Sequence, residues 1–208
     1  MTLTRAIGSS CNVIIRLIVR GLALSKIHPN VLTFIGLLIN VVAAWYLSQG
    51  AFLTAGLVII GAGIFDMVDG RVARETNQVT RFGGFFDSVL DRYSDLILLI
   101  GLLVYYGKIN RSPYVVLTAV VMMASVMISY TRSRAENIIP TCKVGFMERP
   151  ERVVLLIIGA LFDRMAPVLW ILAVMGNLTV VHRMVFTFQE AKRLEDAQLR
   201  PAHTEKHR

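Results

Sequence analysis

The sequence predicts an all-α integral membrane protein with six transmembrane helices preceded by a cytoplasmic, interfacial amphipathic helix. Of its 208 residues, 55% are hydrophobic and only 17% are charged, and the mean hydropathy is +0.60. That balance is too apolar for a water-soluble domain of this length. Apolar stretches recur near the roughly 20 helical residues that cross a hydrocarbon core, which leaves room for about six spans with short loops. The formal charge of +8 is pushed into loops and tails, where it attracts anionic headgroups or anionic substrates. Membrane lipids are therefore expected partners. Nucleic acid is not, because no aromatic-basic binding module accompanies the charge.

Residues 1–27 read as a juxtamembrane helix. Between Ser9 and Leu24 the apolar Val13, Ile14, Leu17, Ile18 and Leu22 recur near helical spacing, while Arg16 and Arg20 occupy another face. Basic residues interrupt this stretch, so it lacks the form of a cleaved signal peptide. A turn at His28-Pro29-Asn30 opens a six-helix transmembrane catalytic domain over residues 28–188. Its spans are expected at Val31–Leu47, Ala51 to about Asp69, Gly83–Tyr106, Pro113–Tyr130, a short fifth at Val153–Phe162, and Val168 to about Met184. Gln49-Gly50 tightens the first two into a hairpin, Gly70–Arg81 reads as a polar connection, and Arg132–Arg149 as a basic loop. Residues 189–208 form a charged tail expected to leave the membrane as a helix and fray.

Basic residues set the orientation. Arg5, Arg16, Arg20, Lys26, Arg71, Arg74, Arg81, Arg132, Arg134, Lys143, Arg149 and Arg152 fall on one side, against Lys108, Arg111 and Arg164 on the other. Both termini and the acidic cluster described next are then cytoplasmic. Cys11 and Cys142 are widely separated and read as free thiols.

From residue 66 the chain reads DMVDGRVARETNQVTRFGGFFDSVLD. Positions three or four apart share a helix face, so Asp66 and Asp69 converge at the end of one helix, and Asp87 and Asp91 near the start of another. Ionised carboxylates at membrane depth cost at least a few kcal/mol each, and crowding adds repulsion. Positive charge must offset it. Mg2+ or Mn2+ suits an all-oxygen ligand set, and no His or Cys lies nearby to favour zinc. Two such ions roughly 3.5–4 Å apart would use all four acids and clamp a diphosphate. Gly70, Ala73, Gly83 and Gly84 remove bulk beside the acids, either for close approach of a nucleotide or for helix packing. Arg74 is placed to meet a diphosphate or to snorkel to the interface.

The string D-x2-D-G-x2-A-R-x8-G-x3-D-x3-D, spelled by Asp66, Asp69, Gly70, Ala73, Arg74, Gly83, Asp87 and Asp91, resembles the signature of the CDP-alcohol phosphotransferase family. The expected helix pattern over most of the chain is similar too. The resemblance implies a CDP-linked lipid donor such as CDP-diacylglycerol, attack by an acceptor hydroxyl on the lipid-side phosphate, and release of CMP. It implies metal ligation by Asp66, Asp69, Asp87 and Asp91, with Asp91 also the general base. Pro29, Asn30 and Thr33 resemble the segment bordering the nucleotide, although a helix-entry turn explains them equally well. A homodimer is implied as well.

Tyr130-Thr131-Arg132-Ser133-Arg134-Ala135-Glu136 and Glu148-Arg149-Pro150-Glu151-Arg152 resemble stretches of phosphatidylinositol-phosphate synthases and their archaeal ether-lipid counterparts. Arg132, Arg149, Arg152 and Arg183 would then bind the phosphate of a phosphorylated polyol acceptor, a task suited to the planar guanidinium fork. Arg132 where a Lys is common, and Pro150 within the second stretch, depart from that pattern. The same arginines could simply anchor the cytoplasmic face. Three alternatives remain open at this point: glycerol 3-phosphate or serine as acceptor, an ion transporter using intramembrane carboxylates, and an assembly protein.

Overall fold

The computed structural model describes the backbone of residues 29–75 and 80–205, and the side chains of 30–66 and 80–197. The expected amphipathic helix at 1–27 and Cys11 lie outside these residues. Six helices follow one another: α1 Pro29–Ser48, α2 Phe52–Glu75, α3 Arg81–Lys108, α4 Ser112–Ala135, α5 Arg149–Leu161 and α6 Met165–Glu205. No strand is present among the described residues. They fall into two compact units, the first ending at Tyr105 and the second beginning at Tyr106.

In the first unit, α1 and α2 form the expected hairpin. Gly50 adopts φ 76°, and the amides of Gly50 and Ala51 donate to the carbonyls of Leu47 and Tyr46 at 3.0 Å each. This is the paired left-handed cap that ends a helix without orphaned carbonyls. Helix α3 packs against α1 at a point of backbone contact: a methyl at Gly101 would collide with the Ala44 carbonyl. Small residues at such a crossing let helix backbones approach where lipid supplies no hydrophobic drive. Phe52 meets Tyr105 edge to face at 4.8 Å between ring centroids.

In the second unit, α4 and α5 both pack on α6. Gly176 of α6 sits where an added methyl would lie 3.2 Å from Ala124 of α4, and Gly159 of α5 fits against Val168 and Met165. Ala135, Ile139 and Cys142 form a buried cluster with Val144, Phe186, Ala191 and Leu194, which seats residues 136–148 on α6. Cys142 is a free, buried thiol, as expected.

Among the described residues, three helices are long and apolar enough to cross a membrane, over Asn30–Ser48, Ser112–Ala135 and Met165–Ala197. Large apolar side chains such as Trp45, Leu53, Val116, Trp170 and Phe188 are exposed along the helices, as lipid-facing residues are. The described residues are those of a helical membrane protein. Helix α2 has a shorter apolar stretch, Phe52–Asp66. At about 1.5 Å per residue, the 13 residues of α5 extend only about 20 Å against a core of about 30 Å.

Several boundaries differ from expectation. The supposed polar connection at 70–81 is helical through Glu75, because Arg71, Ala73, Arg74 and Glu75 are adequate helix formers and outweigh one glycine. Helix α3 starts at Arg81 instead of Gly83, since Thr80 caps it: the Gly83 amide donates to Thr80 Oγ1 at 2.9 Å. Arg132 and Arg134 belong to the last turn of α4 and not to a loop, where their charge suits the negative end of the helix. Helix α6 runs unbroken past Met184 and Gln189 to Glu205.

Candidate active site

The acidic site is built by the C-terminal part of α2 and the first turns of α3. Asp87 and Asp91 stand one turn apart on α3, and Asp66 comes from α2. Single carboxylate oxygens of the three lie within 4.8 Å of one another, and all three residues are half-buried. Three like charges so close repel strongly in a partly desolvated setting, and the all-oxygen donor set matches a hard divalent cation. The group fits Mg2+ or Mn2+. Asp69 lies three residues beyond Asp66 in α2, and its side chain is outside the described residues. Further along α3, Asp95 is buried at 4% exposure. Arg92 turns back to donate to the Ser88 carbonyl.

The residues expected around a nucleotide are partly gathered here. Asn30 opens α1, and a methyl added at Gly83 would lie 3.4 Å from its Oδ1 and 3.0 Å from Thr80 Oγ1. The missing side chain at Gly83 thus brings the start of α1 against the start of α3. At Gly84 an added methyl would meet nothing within 4 Å. Thr33 is buried in α1. Gly70, Ala73 and Arg74 are in α2 and Pro29 begins α1, with their side chains outside the described residues. Thr80 is a residue that sequence reasoning missed; a Ser or Thr followed by a glycine pair three residues on was the available signal.

The basic site belongs to the second unit. Arg183 of α6 is 2% exposed. Its Nε donates to the Val144 carbonyl at 2.9 Å, Nη1 to the Ile128 carbonyl at 2.5 Å, and Nη2 to Glu148 Oε1 at 3.1 Å. The same Glu148 oxygen accepts from Arg132 Nη1 at 3.1 Å, while Arg132 Nε reaches Glu136 at 3.1 Å. Arg152 is buried and donates to the Met147 carbonyl at 3.1 Å. Arg149 starts α5 and is half-buried. Thr179 Oγ1 accepts the Met147 amide at 3.3 Å. Gly145 (φ 108°) could carry no side chain without meeting Thr179 at 2.5 Å. Arg132, Arg152 and Arg183 are thus gathered around residues 144–148. Glu148, the shared partner of Arg132 and Arg183, stands in the sequence only as part of a motif string.

Residues 26–189 match the CDP-alcohol phosphatidyltransferase family. The chain belongs to it. An archaetidylinositol phosphate synthase of Pyrococcus horikoshii is 35% identical over 177 residues, spanning 85% of this chain and 90% of the relative. A phosphatidylinositol phosphate synthase of Mycobacterium tuberculosis is 36% identical over 178 residues, 80% of this chain and 82% of its own. The crystal structure of the M. tuberculosis phosphatidylinositol phosphate synthase with CDP-DAG bound superposes with a TM-score of 0.79 at 32% identity, covering 84% of this chain and 94% of that one. The same enzyme in complex with manganese and citrate gives a TM-score of 0.76 at 32% identity, covering 82% and 87%. This member of the CDP-alcohol phosphatidyltransferase family is therefore an enzyme, and the transporter and assembly alternatives fall away.

Proposed function

We propose that this enzyme transfers the phosphatidyl group of CDP-diacylglycerol to a hydroxyl of a phosphorylated polyol, inositol phosphate, releasing CMP in phospholipid biosynthesis. The observation that carries the proposal is the convergence of Asp66, Asp87 and Asp91 within 4.8 Å inside the full acidic motif. The printed activities of the relatives, and the CDP-DAG and manganese complexes of the M. tuberculosis enzyme, support the donor, the acceptor and the ion class.

In this reading Asp66, Asp69, Asp87 and Asp91 hold two divalent ions. When bound, the ions neutralise the diphosphate and the charge that develops on the departing CMP. Asp91 takes the proton of the acceptor hydroxyl, whose oxygen bonds to the lipid-side phosphorus as the bond from that phosphorus to the CMP oxygen breaks. Pro29, Asn30, Thr33, Gly70, Ala73, Arg74 and Gly83 border the CDP moiety. Arg132, Arg149, Arg152 and Arg183 form the cluster that takes the acceptor's phosphate. Serine would give such a cluster no ligand, which favours a phosphorylated acceptor.

The proposal extends to topology. Residues 1–27 lie on the cytoplasmic interface, 28–188 cross the bilayer six times, the short α5 by local thinning of the bilayer, with the active site and both termini cytoplasmic, and 189–208 form the tail. The asymmetry of Lys and Arg supports this, and a homodimer completes it. Labelling of single cysteines added at either end, in sealed inverted vesicles, and cross-linking in membranes test these two points.

The decisive assay incubates purified protein with CDP-diacylglycerol, Mg2+ and one acceptor at a time. CMP should appear with inositol phosphate, and not with glycerol 3-phosphate or serine. Chelation should abolish release and Mn2+ restore it. Asp91→Asn should lower kcat by about 10²–10⁴-fold, the usual contribution of a general base. No CMP with any acceptor would overturn the reading.

A further inference from the structure

Arginine reads phosphate well only when its fork is held still, because its free side chain carries about 2 kcal/mol of rotamer entropy. Among the arginines assigned to the acceptor, Arg132 and Arg183 differ sharply. Arg183 is 2% exposed, and its contacts all go to its own chain: the Val144 and Ile128 carbonyls and Glu148. It ties the end of α4 and the segment before α5 to α6. The Arg132 side chain is 37% exposed and meets Glu148 through one terminal nitrogen, Nη1. Its partners, Glu136 and Glu148, engage Nε and Nη1.

Glu148 joins the two. One oxygen, Oε1, accepts from Arg183 Nη2 and from Arg132 Nη1, each at 3.1 Å. The backbone that presents it is fixed on both sides. Val144 is bound by Arg183, the Met147 amide by Thr179 and the Met147 carbonyl by Arg152. Gly145, at φ 108°, brings the chain flush against Thr179. A buried guanidinium on a rigid helix thus orients a carboxylate, which in turn orients a solvent-facing guanidinium.

We propose that Glu148 is a positioning residue for acceptor recognition: anchored by buried Arg183, it holds Arg132 in the orientation that binds the acceptor's phosphate. Arg183, itself a member of the phosphate cluster, supplies the anchor through its Nη2 bond to Glu148. The inference rests on the acceptor reading given above.

Steady-state kinetics of the detergent-solubilised, full-length enzyme test it. Glu148→Gln keeps size and shape but replaces the shared anion with a neutral acceptor. It should raise KM for inositol phosphate by about tenfold, the scale of one charge-assisted hydrogen bond, with KM for CDP-diacylglycerol and kcat unchanged. Glu148→Asp should recover part of the loss. Adding Glu148→Gln to Arg132→Ala should change KM by no more than about twofold, because the two act as one unit. Equal rises in both KM values would mark Glu148 as merely structural and overturn the relay. So would additive effects in the double variant, or an unchanged acceptor KM in Glu148→Gln when Arg132→Ala raises it. Wild-type enzyme that releases CMP with no phosphorylated acceptor would sink the acceptor reading, and the relay with it.

Discussion

The acidic and basic sites solve opposite electrostatic problems. Around Asp66, Asp87 and Asp91 the chain brings three carboxylates to within 4.8 Å of one another, an all-oxygen donor set that favours an added cation. Around Glu148 it alternates signs, so that Arg183 and Arg132 are compensated from within the chain. The first site is strained for the sake of what it binds. The second is largely self-completed, with Arg183 buried and the Arg132 side chain 37% exposed between Glu148 and Glu136. One therefore expects mutations in the first to cost activity and mutations at the anchor of the second to cost structure.

Asp87→Asn should show the largest effect and divides the two costs. Loss of this proposed ligand should lower CMP release by about 10²–10³-fold, while Asn, equal in size to Asp, should leave the thermal unfolding temperature without metal within a few degrees of the parent. A fall in both would break the contrast. Arg183→Met should do the reverse at the level of stability. It leaves the Val144 and Ile128 carbonyls without the donors they have from Arg183, and two unsatisfied acceptors cost about 2 kcal/mol or more. Unfolding followed in detergent should register that loss. Glu136→Gln should have the smallest effect. Its pair with Arg132 is one turn apart on a helix end, with both side chains more than a third exposed, and such pairs contribute about 0.3–0.5 kcal/mol. A larger shift would mean that Arg132 depends on Glu136 as much as on Glu148.

Much of this was legible from residue order. The hairpin of α1 and α2 follows from an apolar run, a glycine able to take φ 76° and a second apolar run. The acidic triad follows from the i, i+4 spacing of Asp87 and Asp91 and the acid at Asp66. Helix ends were less legible. The extension of α2 to Glu75 and the Thr80 cap depend on local backbone hydrogen bonds that polarity alone does not reveal. Packing was hidden for a different reason. Gly101 looks like any small residue in a span, and only the approach of α1 explains why a methyl there would strike the Ala44 carbonyl.

The sequence by itself determined the solvent, the chemistry and the family: the apolar content demands lipid, and four aspartates at fixed spacing among small residues demand a cation. Local periodicity suffices for these, because the groups concerned are close along the chain. Tertiary structure alone decided how the arginines divide their work. Arg132, Glu148 and Arg183 are separated by 16 and 35 residues, and no local rule relates positions so far apart. Only the packing of α4 and α5 on α6 brings the two guanidinium groups to the same carboxylate oxygen. Burial then separates them, with Arg183 at 2% exposure and the Arg132 side chain at 37%.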